Sequence, residues 1–250
     1  MSTPGWATLV RADNPGPLTL DGTNTWVLRA PGSATCVVVD PGPLDDAHLA
    51  AVAAHGPVDL VLLTHGHPDH AEGAARFARE VGADLAARDK ALCLGADPLD
   101  TDTEELTAAG LAIRVLHTPG HSGDSVCFVV GGDEPGVLTG DTVLGRGTTV
   151  VAHPDGRLRD YLASLARLRF LGDIAVLPGH GPVLPDMAAT AAAYLAHRAD
   201  RLRQVEAALA AGATTPREVV EVVYADVDPV LWEAAEWSVR AQLDYLRETS

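Results

Sequence analysis

VDLVLLTHGHPDHAEG (Val58–Gly73) sets a largely apolar run against a loop with three histidines and an aspartate within six positions. A short apolar run bounded by turn residues suits a strand buried on both faces. Crowding titratable groups at the end of such a strand is costly unless they are paired or bind a metal. A polar turn is the plain alternative, and a cluster of the form H-x-H-x-D-H is hard to account for as one. Three later strands repeat the pattern. LAIRVLH (111–117) runs into TPGH, GVLTG (136–140) into Asp141, and DIAVLP (173–178) into GHG. Strands of one sheet that end on the same edge would gather His65, His67, Asp69, His70, His121, Asp141 and His180. These imidazoles and carboxylates are enough for two metal ions and a bridging water. A donor set without thiolate suits zinc, and also manganese or iron. His65 and His67, two apart, point the same way on extended backbone. Asp69 and His70 fall where a helix begins and face elsewhere, so one short loop feeds two adjacent metals. His48, His55, His117, His153 and His197 stand alone and read as structural or solvated.

Outward from this loop, WATLV, LTL, TWVLRA and ATCVVVDPG are separated by NPGP, DGTN and APGS and predict a strand meander. Helices are expected over 45–55, 71–81 and 158–170, the last with Leu162, Leu165, Leu168 and Phe170 buried. Strands are expected at 58–63, 111–117, 124–130, 136–140 and 173–178. This mixture predicts an α+β sheet sandwich covered by helices rather than a doubly wound sheet. After Pro185 the composition turns to alanine, leucine and arginine, and three helices are expected. The second starts at Thr215-Pro216-Arg217-Glu218, a capping sequence. The boundary is placed between a catalytic domain, 1–185, and a helical domain, 186–250.

The chain has 250 residues and a formal charge of −16, with 18 Lys and Arg against 34 Asp and Glu. That field disfavours nucleic acid and anionic membranes as partners. No apolar run is long enough to span a bilayer, and the N-terminus lacks a signal-peptide pattern, so the expected location is cytoplasmic. Cys36, Cys93 and Cys127 are odd in number and far apart, which predicts free thiols. Asp40, in VVVDPG, either orients a metal ligand from behind or closes a turn.

THGHPDH, with TPGHS, TGD and PGHG after it in order, resembles the metal-binding motifs of the metallo-β-lactamase superfamily, and the likeness covers essentially the whole chain. It implies an αββα sandwich with a small C-terminal winged-helix-like appendage and a metal site at one edge of the two sheets. His65, His67 and His121 would hold one zinc ion; Asp69, His70 and His180 would hold the other, with Asp141 bridging. Asp141 stands where true β-lactamases usually carry a cysteine, which argues against lactam hydrolysis. His67 argues against the flavodiiron branch, which has glutamate there. NPGPLTLDGTNTWVL, VVDPGP, GDTVLGRGTTV and YLAHRADRLRQVEAAL are similar to the β-lactamase-like protein 2 branch. That branch implies, as an alternative, a phosphodiesterase acting on single-stranded RNA. The likeness also sets Asn24 and Trp26 at the mouth of the site. HAEGA replaces the more usual HxGG, so Glu72 would crowd the start of the metal-binding helix.

The expected activity is hydrolysis of an ester, thioester or lactone by a hydroxide bridging two zinc ions, with Asp69 as ligand and proton carrier. A non-catalytic metal-binding module is the third reading. The expected partner is a small-molecule substrate. The helical tail is expected to form a pocket wall or a homodimer surface rather than to read nucleic acid. Specificity is expected in Asp97–Glu105 and Arg146–Arg157.

Overall fold

The computed structural model describes residues 3–99 and 105–249. The first sheet holds β1 (Ala7–Arg11), β2 (Asn24–Leu28), β3 (Cys36–Val39), β4 (Val58–Leu62) and β5 (Asp84–Ala86) in that order. β1 to β3 form an antiparallel meander, and β3, β4 and β5 run parallel. The second sheet holds β6 (Glu105–Ala108), β7 (Leu111–His117), β8 (Val126–Val130), β9 (Gly136–Gly140) and β10 (Ala175–Pro178), antiparallel except for the parallel β9–β10 pair.

Period-two alternation sorts the side chains into layers. Val37 and Val39 of β3, Val115 of β7, Phe128 of β8, Leu138 of β9 and Leu177 of β10 pack between the sheets. Their neighbours Cys36 and Val38 face out onto α1 (Asp46–Ala53) and, beyond the short α2 (Pro68–Ala71), α3 (Ala74–Val81), where Leu49, Val52, Phe77 and Ala78 cover them. Leu116, Cys127, Val137 and Val176 face the opposite way, under Leu158, Tyr161, Leu165 and Leu168 of α4 (Leu158–Arg169). Helix, sheet, sheet, helix is the resulting order, as expected. The three cysteines are free, and burial pushes the Cys127 thiol up to about 11.

α5 (Met187–Ala210) serves two cores. Its first half adds Met187, Ala191 and Tyr194 to the α4 layer. Its second half adds Val205 and Ala208 to a separate cluster with α6 (Pro216–Val223) and α7 (Trp232–Thr249). The capping box at α6 forms: Thr215 Oγ1 accepts from Glu218 N at 3.2 Å, and Glu218 Oε2 accepts from Thr215 N at 3.0 Å.

Four expectations need correction. LTL is not a strand: Pro15, Gly16 and Pro17 precede it, and Asn14 ties the loop to Thr19 and Thr23 instead. Phe170 is 91% exposed rather than buried; the α4 stripe 158, 161, 165, 168 has helical spacing, and position 170 lies about 200° around the helix from Leu168. The expected helix 71–81 is two helices, because Gly73 N turns aside to Gly42 O at 3.0 Å. β5 and β6 are short strands that the apolar pattern did not reveal. Among the described residues, no helix is long and apolar enough to cross a membrane.

Candidate metal centre

β3, β4, β7, β9 and β10 all deliver their C-terminal ends to one edge of the sandwich, and Thr64 O, just past β4, accepts from Val126 N at the start of β8 across the two sheets. This edge gathers all seven residues singled out from the sequence. Ligand atoms of His65, His67 and His121 lie within 4.8 Å of one another, as do those of Asp69, His70 and His180, and those of His65, His70 and Asp141. Asp141 stands between the first two groups. Its Oδ1 is 3.4 Å from both His70 Nε2 and His180 Nε2, and its Oδ2 is 3.7 Å from His121 Nε2.

The backbone makes room for this. Gly140 has φ +47, and a Cβ there would lie 2.4 Å from Thr64 Oγ1. A Cβ at Gly179 would lie 2.7 Å from Asp141 Oδ1 and equally close to His70 Cε1. Both positions therefore require glycine.

Hydrogen bonds behind the imidazoles fix which nitrogen faces inward. A carbonyl oxygen only accepts, so His121 donates from Nδ1 to Val150 O at 2.7 Å, and His180 from Nδ1 to Gly22 O at 3.3 Å. His70 donates from Nδ1 to Asp40 Oδ2 at 2.9 Å. Thr64 Oγ1 gives its proton to Asp40 Oδ2 at 2.7 Å, and so accepts from His65 Nδ1 at 3.0 Å. Four Nε2 atoms thus turn inward as acceptors. His70 Nε2 and His180 Nε2 face each other at 3.2 Å, and His67 Nδ1 lies 3.1 Å from His65 Nε2 and 2.9 Å from His121 Nε2. Asp141 Oδ1 is buried with no hydrogen-bond donor. Lone pairs this close are held together by a proton or a cation between them, and the nitrogen and oxygen donors fit a divalent metal.

The electrostatics agree. Burial pulls the His180 imidazole down, but Asp141 and Asp69 outweigh it and push it up to about 9. Burial likewise opposes the charge on His70, and Asp141 with Asp40 lift it well above the usual histidine range. His65 is driven well below that range by burial and by the charges of His70 and His121. Burial raises the Asp141 carboxyl, but His180 and His70 hold it well below the ordinary aspartate value. The carboxylates thus favour positive charge at His70 and His180, on the side of the centre they share with Asp141 and Asp69.

Asp40, at φ +52, does more than close a turn: it holds the His70 ring through Nδ1 and also accepts from Thr64 N at 2.8 Å. Asn24 and Trp26 are buried, not at the mouth. Asn24 Nδ2 donates to Pro178 O and Gly181 O, and Trp26 Nε1 to Pro178 O, so β2 clamps the His180 loop. Glu72 points away from the centre and its Oε2 accepts from Leu44 N at 3.4 Å. His48 is structural, bonded to Thr25 Oγ1 at 2.9 Å. Two contributors had no sequence signal: the Val150 carbonyl behind His121, and Thr23 Oγ1, which donates to Asp69 Oδ2 at 3.3 Å. Thr64, beside the histidine motif, was legible only by position.

A cleft of about 720 Å³ opens over His67, Asp69, His121, Asp141 and His180. Leu18 and Leu20 form one wall, residues 146–150 another, and Tyr224, Val227, Leu231 and Trp237 of the helical tail a third. Of the two loops expected to set specificity, the one beginning at Arg146 lines this cleft. No described residue of Asp97–Glu105 does, and 100–104 lie outside the described residues.

Residues 18–180 match the family model of the metallo-beta-lactamase superfamily, and 215–249 match that of the beta-lactamase associated winged helix domain. The chain is 32% identical to a Drosophila melanogaster protein named beta-lactamase-like protein 2 homolog, over 94% of this chain and 85% of that one. It is 32% identical to an atrochrysone carboxyl ACP thioesterase of Aspergillus fumigatus, over 86% of this chain and 72% of that one. A metallo-beta-lactamase family protein from Thermus thermophilus superimposes with a TM-score of 0.81 at 25% identity, covering 98% of this chain and 94% of that one. A histidine and aspartate cluster that could hold metal at the edge of an αββα sandwich, with the matching family models on both parts, makes this chain a member of the metallo-β-lactamase superfamily of hydrolases.

Proposed function

We propose that the chain is a dinuclear-metal hydrolase of a small ester, thioester or lactone. The carrying observation is Asp141, which turns one oxygen toward His70 and His180 and the other toward His121. His65, His67 and His121 would hold one ion, Asp69, His70 and His180 the second, with Asp141 shared. Zinc suits this donor set, and manganese or iron would also be accepted. Two such ions lower the pKa of bound water toward neutrality and polarise a carbonyl oxygen.

The chain's own residues supply the rest. Asp40 holds the protons on His70 Nδ1 and, through Thr64, on His65 Nδ1, so that both Nε2 lone pairs stay directed at the centre. Asp69 is first a ligand. Its side chain keeps 28% exposure toward the cleft, and its Oδ2 sits 3.1 Å from His180 Nε2. It is therefore the carboxylate placed to carry a proton to the leaving group. Leu18, Leu20 and the apolar residues of the tail shed water from an acyl chain lying over the centre. The acyl choice draws support from the relative named as a thioesterase.

Metal analysis of purified protein should find about two ions per chain, the stoichiometry of a bridged two-metal site. His67→Ala should lose metal and hydrolysis together. The substrate test is a panel on loaded protein: a thioester, a simple ester, a lactone and a single-stranded RNA. Cleavage of RNA alone overturns the proposal in favour of a phosphodiesterase.

A further inference from the structure

We infer that the cleft contains an oxyanion subsite on one face of α5, centred on Arg201, which binds a carboxylate or phosphate carried by the substrate away from the bond that is cut. The inference rests on the hydrolase reading for the word substrate, and on the cleft's own chemistry for the rest.

The chain has 34 acidic and 18 basic residues, yet the cleft reverses that balance. Arg146, Arg198 and Arg201 line it, and its carboxylates are Asp69 and Asp141, both already committed to the metal centre. The charge of Arg146 is met at 2.5 and 2.8 Å by Asp21. Arg198 and Arg201 make no ion pair with any carboxylate among the described residues. Arg201 lies three residues from Arg198 and four from His197, so it neighbours both on the surface of the helix.

Arg198 is 3% exposed. It donates to Thr149 O and lies 5.1 Å over the Tyr161 ring, while its Nε has no hydrogen-bond partner among the described residues. A buried cation with no counter-ion is costly. Its grip on Thr149 also steadies the segment behind His121, so Arg198 by itself is explained in part by structure. Arg201 is not so constrained. It is half-buried, 4.6 Å over the Tyr224 ring, and among the described residues donates from Nη1 alone, to Val223 O at 2.6 Å and Gln204 Oε1 at 2.8 Å. A guanidinium has five N–H donors, so Nε and Nη2 remain for an oxyanion, held in plane by the ring. Asp200, next in sequence, turns away to Arg203 and Gln204 at 2.7 Å each. The positive field is felt locally: burial, then Arg198 and Arg201, lower the His197 imidazole.

The anion has two chemical sources, the acyl part or the leaving arm, and non-cleavable thioethers separate them from each other and from catalysis. Three are titrated calorimetrically into the full-length protein: butyl pantetheine thioether, carboxypropyl pantetheine thioether and butyl 4′-phosphopantetheine thioether. At least one anionic compound should bind about tenfold or more tightly than the neutral one, as a charge-assisted hydrogen bond supplies. The compound that gains identifies the source. Arg201→Gln should collapse the anionic-to-neutral ratio, Arg201→Lys should keep most of it, and raised salt should shrink it. No preference in the wild-type protein overturns the inference whether or not any variant folds. So does a ratio unchanged in Arg201→Gln, which would mark a structural role. Because binding is read without turnover, a preference seen in a protein that cleaves no thioester, ester or lactone refutes the acyl-hydrolase reading and leaves the subsite standing.

Discussion

Replacing Asp40 by asparagine tests the metal centre from behind. Asn accepts the left-handed backbone at φ +52 as readily as Asp, and its volume is nearly the same, so the change is confined to hydrogen bonding and charge. All three groups around the carboxylate are donors: Thr64 N at 2.8 Å to Oδ1, and Thr64 Oγ1 at 2.7 Å and His70 Nδ1 at 2.9 Å to Oδ2. An amide has one acceptor oxygen. With its nitrogen at the Oδ1 position, it faces the Thr64 amide donor. With its nitrogen at the Oδ2 position, it faces two donors, and His70 must shift its proton to Nε2, the atom the metal needs. Either way one charge-assisted hydrogen bond is lost, worth roughly 1.5–3 kcal/mol, or about 10–100-fold in affinity. That agrees with the typical cost of removing a group that orients a metal-bound histidine. Metal-free wild-type and Asp40→Asn proteins are titrated with zinc against a chromogenic chelator. The site containing His70 should weaken by that factor, and the site containing His65, reached only through Thr64, by less. Two sites of wild-type affinity in Asp40→Asn would refute the reasoning.

Gly179→Ala should weaken metal binding by about 5–150-fold, the effect of roughly 1–3 kcal/mol of overpacking, because the new Cβ meets Asp141 Oδ1 and His70 Cε1 at 2.7 Å; direct metal titration measures it. The metal-free protein should lose stability between pH 6.5 and about 9, since a His180 pKa raised to about 9 stabilises the fold fully below 6.5 and stops doing so as pH rises through 9. Thermal melts across that range, with and without metal, check this. Zinc uptake should release protons and strengthen with pH over the same interval, roughly tenfold per unit for each proton displaced. Leu165→Ala should destabilise by about 2–5 kcal/mol, whereas Phe170→Ala should change stability by no more than about 0.5 kcal/mol, as urea melts would record.

The site is legible because its histidines and aspartates lie at strand ends that punctuate the sequence in one format, a buried run followed by a glycine or proline loop with His or Asp. Period-two alternation does the same for the sheets, as at Val37, Val38 and Val39. What stayed hidden depends on backbone rather than side-chain pattern. The Val150 carbonyl behind His121 leaves no mark in the sequence. The break at Gly73 comes from a hydrogen bond to Gly42, distant in sequence. β5 is only three residues long, too short for any periodicity to declare itself. Phe170 continues the apolar stripe in sequence but stands at the C-cap of α4, past its last turn. The sequence context of Asn24 and Trp26 is shared by a buried clamp and a mouth-lining residue, and only the fold separates the two.

α5 runs about 36 Å at 1.5 Å per residue, and its two halves lie in different cores. Neither core can lose this helix without exposing apolar surface in the other. Melting should therefore be a single cooperative transition, with calorimetric and van't Hoff enthalpies in agreement, even though two family models divide the chain. A truncation before Met187 would strip the α4 layer of Met187, Ala191 and Tyr194 and leave an aggregation-prone face. The helical tail is thus as much a part of the hydrolase's core as of its cleft, and the two halves of the chain are inherited as one thermodynamic unit.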